Sequence, residues 1–270
     1  MPELPEVETT RRGLAPLVGQ RVSSVIVRNG RLRWPIPADL PETLVGQRFS
    51  ELTRRAKYIL VRCERGTLLL HLGMSGRLCL LERDEPAGKH DHIDVVFDGG
   101  QVLRLRDPRR FGAILWLQGD PRQHPLLAGL GVEPLEDEFD GAYLYRATRS
   151  RSAPIKHAIM DSHLVVGIGN IYASESLFRA RIDPMAPAGK LSRSGCERLV
   201  REIKATLTEA LEAGGSSLRD FFGADGNPGY FQQRYFVYGR TGEACRLCGT
   251  PVGTIKQGQR STFYCRNCQK

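Results

Sequence analysis

The last thirty residues carry the clearest chemistry in the sequence. Cys245 and Cys248 stand in the run CRLC, and Cys265 and Cys268 in CRNC, with sixteen residues between the pairs. A C-x-x-C spacing places two thiolates on one side of a tight turn, and two such turns facing each other form a tetrahedral sulfur cage that suits zinc. The alternative, a set of redox thiols, does not need two pairs at this separation. Four thiolates leave no open position, so the spacing predicts one structural Zn2+ and not a catalytic one. A segment this short has almost no core, and metal binding would be its folding energy. Between the pairs, GTIKQGQRSTFY alternates as a hairpin does, with Gly258 near the tip and Lys256 and Arg260 projecting from it. Cys63, Cys79 and Cys196 are isolated in apolar or helical runs and read as ordinary half-buried residues.

The other end opens MPELPEVETT. Pro2 and Glu3 fit a proline-started, acid-rich first helical turn, which residue statistics alone favour. They also fit a reactive N-terminal amine with a carboxyl beside it. Three basic clusters follow: RRAK (54–57), RLRDPRR (104–110) and RATRSRSAPIKH (146–157), and residues 141–160 contain no acid. Any one cluster is explained by a solvated face. Three clusters and a charged finger together favour a surface that tracks phosphates. The run VVGIGNIYASESLF (165–178) reads as a tight turn with Asn170 as N-cap and a helix after it. Such a helix start can bind phosphate or simply pack. RDPRRFG (106–112) and HLGMSG (71–76) place Arg109, Phe111 and Met74 on loops. A Met and an aromatic there can wedge into a base stack, but composition alone favours the plainer reading that they cap a hydrophobic edge.

These groups need elements to hold them. Residues 1–18 read as a helix whose apolar face is Leu4, Val7, Leu14 and Val18, broken by Arg11. Residues 20–118 contain VSSVIVR, YILVRC, TLLLHL, IDVVF, VLRLR and AILWL between turn signals, which predicts a β-sandwich. Residues 124–140 are rich in Gly, Pro and acids and read as a connection. From 141 the pattern is helical, clearest at 196–215, where Leu199, Ile203, Leu207 and Leu211 recur every four residues. The chain has 270 residues, 41% hydrophobic, and a net charge of +9. That length suits two domains, and that charge expects a polyanionic partner, nucleic acid or anionic membrane. There is no stretch of eighteen apolar residues and no basic-then-apolar leader, so a cytoplasmic location is expected, where seven cysteines suit metal or thiol roles better than disulfides.

Taken together, PELPEVET, RRAKY, HLGMSG, DPRRFG, GIGNIYASE and the final CRLCG…FYCRNCQK resemble bacterial formamidopyrimidine-DNA glycosylase, from Pro2 to Lys270. The resemblance implies a base-excision repair enzyme that releases oxidised purines such as 8-oxoguanine and also nicks the abasic site. Leu4 and the Gly-rich segment at 214–230 favour this purine-directed family over endonuclease VIII. It implies an α+β multidomain fold: an N-terminal β-sandwich with a leading helix (1–132), a hinge (133–140), a helix–two-turn–helix domain with a lesion-recognition loop (141–234) and a zinc-finger hairpin (235–270). It implies that Met1 is removed and that Pro2 attacks the sugar as a free secondary amine, with Glu3 as general acid/base. Lys57 matches the proton donor in β-elimination and Arg260 the finger arginine of δ-elimination. His71, His90, Arg109, Arg151 and Asn170 match DNA contacts, and Met74, Arg109 and Phe111 match the trio that fills the gap left by an extruded nucleotide. Damaged duplex DNA is the implied partner, the chain acting as a monomer in the bacterial cytoplasm at the nucleoid. A non-catalytic DNA-binding zinc protein, or an RNA- or membrane-binding one, are the alternatives; no basic amphipathic helix is long enough for the membrane.

Overall fold

The computed structural model describes residues 2–82, 85–216 and 231–270. Met1, with the expectation that it is removed, lies outside these residues, as does 217–230, most of the expected lesion-recognition loop. The α+β chain falls into two compact units, residues 1–128 with 213–230, and residues 129–212 with 231–270.

The first unit begins with helix α1, Leu4–Gly13. Pro5 is tolerated in its first turn, where no N–H is needed. The helix is shorter than the predicted 1–18, because Pro16 cannot continue it and residues 15–17 tighten into a 3-10 turn. Leu4, Val7 and Leu14 are buried as expected, whereas Val18, beyond the helix, is exposed. Arg11, the break in the apolar stripe, has a partner: its Nη1 donates to the Leu52 carbonyl at 3.0 Å, while Glu8 holds its other nitrogens.

Two four-stranded antiparallel sheets follow. One has the order β1 (Val22–Val27), β6 (Asp91–Phe97), β7 (Gln101–Arg106), β5 (Arg77–Glu82); the other has β2 (Glu51–Arg55), β3 (Tyr58–Arg62), β4 (Thr67–His71), β8 (Ala113–Leu117). Their apolar faces, together with Leu14, Leu17, Leu40 and Leu44, form one core in which Phe49 and Phe97 meet edge-on at 5.0 Å. On the face of β6 and β7 opposite this core, charged residues are buried too. Arg104, 2% exposed, is bidentate to Asp94 (2.8 and 2.9 Å), and Arg106 pairs with Asp91 (2.6 and 2.9 Å). Buried charges are tolerable only with this kind of pairing.

Two short helices, α2 (Leu40–Leu44) and α3 (Pro125–Ala128), complete the α-helices of the first unit among the described residues, and the second unit contains α4 (Gly141–Thr148), α5 (Ile155–Ile159), α6 (Asn170–Arg179) and α7 (Arg193–Glu212), followed by hairpin β9–β10 (Gly253–Gln257, Arg260–Tyr264). Along α7, Leu199, Ile203 and Leu207 are buried, but Leu211 is only half-buried. A four-residue spacing drifts about 40° per step against the 3.6-residue turn, so the fourth member leaves the buried face. On α6, Glu175 is buried and accepts the backbone N–H groups of Phe236, Val237 and Tyr238 at 2.8–3.0 Å, which ties the approach to the hairpin onto that helix.

Candidate active site and nucleic-acid interface

Pro2 and Glu3 sit immediately before α1, and both are buried. Glu3 is the N-cap of the helix, with extended backbone, and is 2% exposed. The sequence reading passed over Glu6, which is 0% exposed and organises this end of the unit. Its Oε2 accepts the Glu3 N–H at 2.8 Å, as the third helical residue does in a capping box. Its Oε1 accepts the N–H of Ser216 at 2.8 Å. One buried carboxylate therefore fixes both the start of the chain and the residue from which the 217–230 segment departs. The signal for it was the three-residue spacing from Glu3.

Lys57 lies in the two-residue turn between β2 and β3, where Arg55 pairs with Tyr58. Ala56 has φ 55°, in the left-handed region, a strain of about 1 kcal/mol. Arg54 Nη1 bonds the Ala56 carbonyl at 2.9 Å and so supports the turn. At the end of β4, the His71 ring packs on Tyr58, with centroids 4.8 Å apart. Burial first, then the charges of Lys57 and Arg33, push the His71 pKa down to about 4. His71 is thus neutral near pH 7. Its Nδ1 accepts the Gly73 N–H at 3.2 Å, which leaves Nε2 as the proton-bearing nitrogen, a neutral donor.

Met74 and Phe111 are exposed, 40% and 42%. They line a groove of about 700 Å³ with His71, Arg109, Arg33 and Arg110. The Arg109 guanidinium lies 4.9 Å from the Phe111 ring centroid. The structure thus brings together Met74, Arg109, Phe111 and His71. His90 is half-buried, and its carbonyl accepts the N–H of Asp107 at 2.9 Å.

In the second unit Asn170 departs from the sequence expectation. The N-cap of α6 is Gly169, and Asn170 is the first helical residue. Its side chain does not cap: Nδ2 donates to the Ser261 carbonyl at 2.9 Å, and Oδ1 accepts from Lys156 Nζ at 2.6 Å. Lys156, 1% exposed, also donates to Thr262 Oγ1 at 2.6 Å. Sequence reasoning counted Lys156 only as part of a basic run; its place inside the apolar IKHAIM was the available signal. Asn170, Lys156 and Arg260 line one groove of about 290 Å³ together with Asp161. Arg151 is bonded to Asp161 at 2.7 Å. Arg260 and Lys256 are exposed on the hairpin, whose turn places Gly258 at φ 61°, where a side chain would be strained.

Among the described residues, one group of ligating side chains has the geometry for a metal. The Sγ atoms of Cys245, Cys248, Cys265 and Cys268 all lie within 4.8 Å of one another. The Cys245–Cys268 and Cys248–Cys265 separations are 3.9 and 3.5 Å. Zinc–thiolate bonds of ~2.3 Å in a tetrahedron require about 3.8 Å. Cys63 and Cys196 are buried and Cys79 half-buried, away from this cluster.

The basic clusters are only partly available to a polyanion. Arg54, Arg104 and Arg106 are engaged by carboxylates, and Arg149 by the carbonyls of Tyr145 and Leu191 and the Tyr145 ring. Arg109 and Arg110 are exposed. No helix among the described residues is long and apolar enough to cross a membrane.

Residues 1–114 match the formamidopyrimidine-DNA glycosylase N-terminal domain, residues 130–222 the formamidopyrimidine-DNA glycosylase H2TH domain, and residues 242–270 the zinc finger found in FPG and IleRS. A formamidopyrimidine-DNA glycosylase of Methylobacillus flagellatus is 63% identical over all of this chain and 97% of its own length. The crystal structure of the MutM (Fpg) protein of Thermus thermophilus is 41% identical, with a TM-score of 0.89 over 99% of this chain and 98% of that one. A Lactococcus lactis Fpg mutant in complex with Fapy-dG-containing DNA is 34% identical, with a TM-score of 0.93 and full coverage of both chains. With three consecutive domain matches and relatives this similar over their whole length, the chain belongs to the formamidopyrimidine-DNA glycosylase family of DNA-repair enzymes.

Proposed function

We propose that the chain is a bifunctional glycosylase and abasic-site lyase that removes 8-oxoguanine and formamidopyrimidines from duplex DNA through a Schiff base on Pro2. The observation that carries this reading is the burial of Glu3. Glu3 is 2% exposed beside Pro2; its carboxylate accepts the Glu6 N–H and its own N–H is held by Glu6, so the capping box fixes an acid in a water-poor site next to the amine.

With Met1 removed, the Pro2 nitrogen is a secondary amine, and its position before α1 faces the positive end of the helix dipole, which favours the uncharged form. Its lone pair forms a bond to C1′ while the glycosidic bond breaks and the base leaves with that electron pair. Glu3 serves as general acid/base for the proton transfers. The Pro2 nitrogen then loses its proton, the C1′–O4′ bond breaks as O4′ takes a proton from Glu3, and the ring-opened product is an iminium, cationic at every pH, which acidifies the C2′ hydrogens. Loss of a C2′ proton expels the 3′ phosphate, with Lys57 as proton donor, and a second elimination expels the 5′ phosphate. Arg260 neutralises the departing phosphate, because a guanidinium stays protonated above pH ~12 and is a poor proton donor. His71, His90, Arg151 and Asn170 are assigned to DNA contact. Met74, Arg109 and Phe111 are assigned to the gap left by the flipped nucleotide, with Arg109 facing the estranged cytosine. Cys245, Cys248, Cys265 and Cys268 would hold one zinc ion with a closed thiolate shell, which stabilises the hairpin that carries Arg260 and takes no part in the reaction. The chain would act as a monomer, in the cytoplasm at the nucleoid.

Borohydride trapping on a duplex with 8-oxoguanine opposite cytosine tests the reading. A covalent adduct is expected, and intact mass should show the chain without Met1. A folded sample lacking Met1, with the Pro2 nitrogen unblocked, that forms no adduct would leave a DNA-binding zinc protein without catalysis. Faster release of thymine glycol than of 8-oxoguanine would move the specificity to oxidised pyrimidines.

A further inference from the structure

Asp107, the residue after β7, is 0% exposed, and both of its carboxylate oxygens are engaged. Oδ1 accepts the Ser75 hydroxyl at 3.0 Å and the Arg109 N–H at 3.2 Å. Oδ2 accepts the Gly112 N–H at 2.7 Å. Its N–H donates to the His90 carbonyl at 2.9 Å, and its carbonyl lies 2.7 Å from His92 Nε2. One side chain therefore ties the turn between β4 and β5, at the neighbour of Met74, to both ends of the loop that carries Arg109, Arg110 and Phe111. The two loops are in direct contact: a Cβ added to Gly73, at φ 61°, would lie 2.3 Å from the Phe111 carbonyl carbon. Arg110, at φ 58°, sits where a side chain is disfavoured, so its conformation is imposed by the surrounding bonds. The base of each loop is thus fixed while Met74 and Phe111 project into solvent.

We propose that Asp107 is the positioning residue that holds Met74, Arg109 and Phe111 as a single wedge, and so governs both the extrusion of a damaged nucleotide and the discrimination of the base opposite it. The inference rests on the proposed function. Three side chains that enter a base stack together must keep their relative places, because misplacement of about 1 Å is enough to lose a large factor in rate. The Pro2 chemistry makes no such demand once the base is gone.

The test uses the full zinc-loaded chain, with Asp107→Asn and Ser75→Ala. Asparagine keeps the shape but replaces one acceptor by an N–H donor. Single-turnover excision of 8-oxoguanine opposite cytosine should fall about tenfold in Asp107→Asn, and trapping on a preformed abasic site less than about threefold. The preference for cytosine over adenine opposite the lesion should shrink by about fivefold, a readout that a merely structural role would not move. Equal losses in excision and trapping with an intact cytosine preference would overturn the proposal, as would wild-type behaviour. If melting shows that Asp107→Asn does not fold, Ser75→Ala decides, since it deletes only the bond to the Met74 turn: the same pattern at smaller size supports the proposal, and no change overturns it. A wild-type chain that cuts no 8-oxoguanine duplex but binds it would instead overturn the proposed function, and this inference with it.

Discussion

At the scale of single residues, the buried polar side chains fix the geometry that the proposed chemistry needs. Glu6 is the clearest case, because it accepts from Glu3 and from Ser216, two residues that the chain separates by 213 positions. Replacing it by alanine leaves two buried N–H donors unmatched, and we expect a loss of about 3 kcal/mol in stability by chemical denaturation. Glu6→Gln keeps one acceptor and should cost less, about 1–2 kcal/mol. His71 adds a pH dependence. Its pKa falls from 6.5 to about 4 in the folded protein, chiefly through burial. Between those values the unfolded chain binds the proton and the folded chain does not. The stability present above pH 6.5 is therefore lost as pH falls toward 4. His71→Gln should lose less melting temperature than the wild type over that interval; parallel curves would show that this ring does not set the slope. Charge at position 71 is also not what a DNA contact would use at neutral pH, since the ring offers a neutral Nε2–H.

At the scale of elements, the sequence was legible where hydrophobic period and turn residues agreed. The runs at β1, β3, β4, β6, β7 and β8, helix α7 and the hairpin around Gly258 follow that rule. β2, with the sequence ELTRR, was not legible, because only Leu52 faces the core and the remaining residues are polar. The length of α1 was overestimated because Leu14 continues the apolar stripe past the point where Pro16 stops the hydrogen bonding. Asn170 was misplaced by one residue, since a good capping residue in sequence was taken up by the hairpin strand in space. Asp107 opens the DPRRFG run, but its tie to the Met74 turn was not legible, because Ser75 lies 32 residues away in sequence. The four cysteines were fully legible as a pair of motifs, and their metal can be tested as an element. The hairpin has only a small core, built around Phe178, Val237 and Val252, so the ion should carry much of its stability. One zinc per chain is expected by elemental analysis. Chelation should expose four reactive thiols and reduce DNA affinity by at least about tenfold, since Arg260 and Lys256 then lose their rigid support. Stable affinity after complete zinc removal would separate the finger from DNA binding.

For the molecule as a whole, fewer arginines are available to DNA than the basic clusters contain. The net charge is +9, and the three basic clusters read as one phosphate-tracking surface. In the folded chain Arg104 and Arg106 face Asp94 and Asp91, Arg54 faces Glu8, and Arg149 is bonded to carbonyls. Those arginines are spent on the fold and cannot also displace counterions. Binding to an undamaged duplex should therefore weaken with salt as contact with on the order of four to six phosphates requires, a slope near −4 to −5 in log K against log [salt], well short of what the eleven Lys and Arg of the three clusters suggest. Arg151 is an intermediate case, because it already pairs with Asp161 at 2.7 Å. Arg151→Ala should reduce the magnitude of the slope by no more than about one unit, whereas Arg104→Ala should leave the slope unchanged and act on stability alone. An Arg104→Ala chain that remains folded but shows a shallower slope would mean that the buried ion network opens when the protein meets DNA.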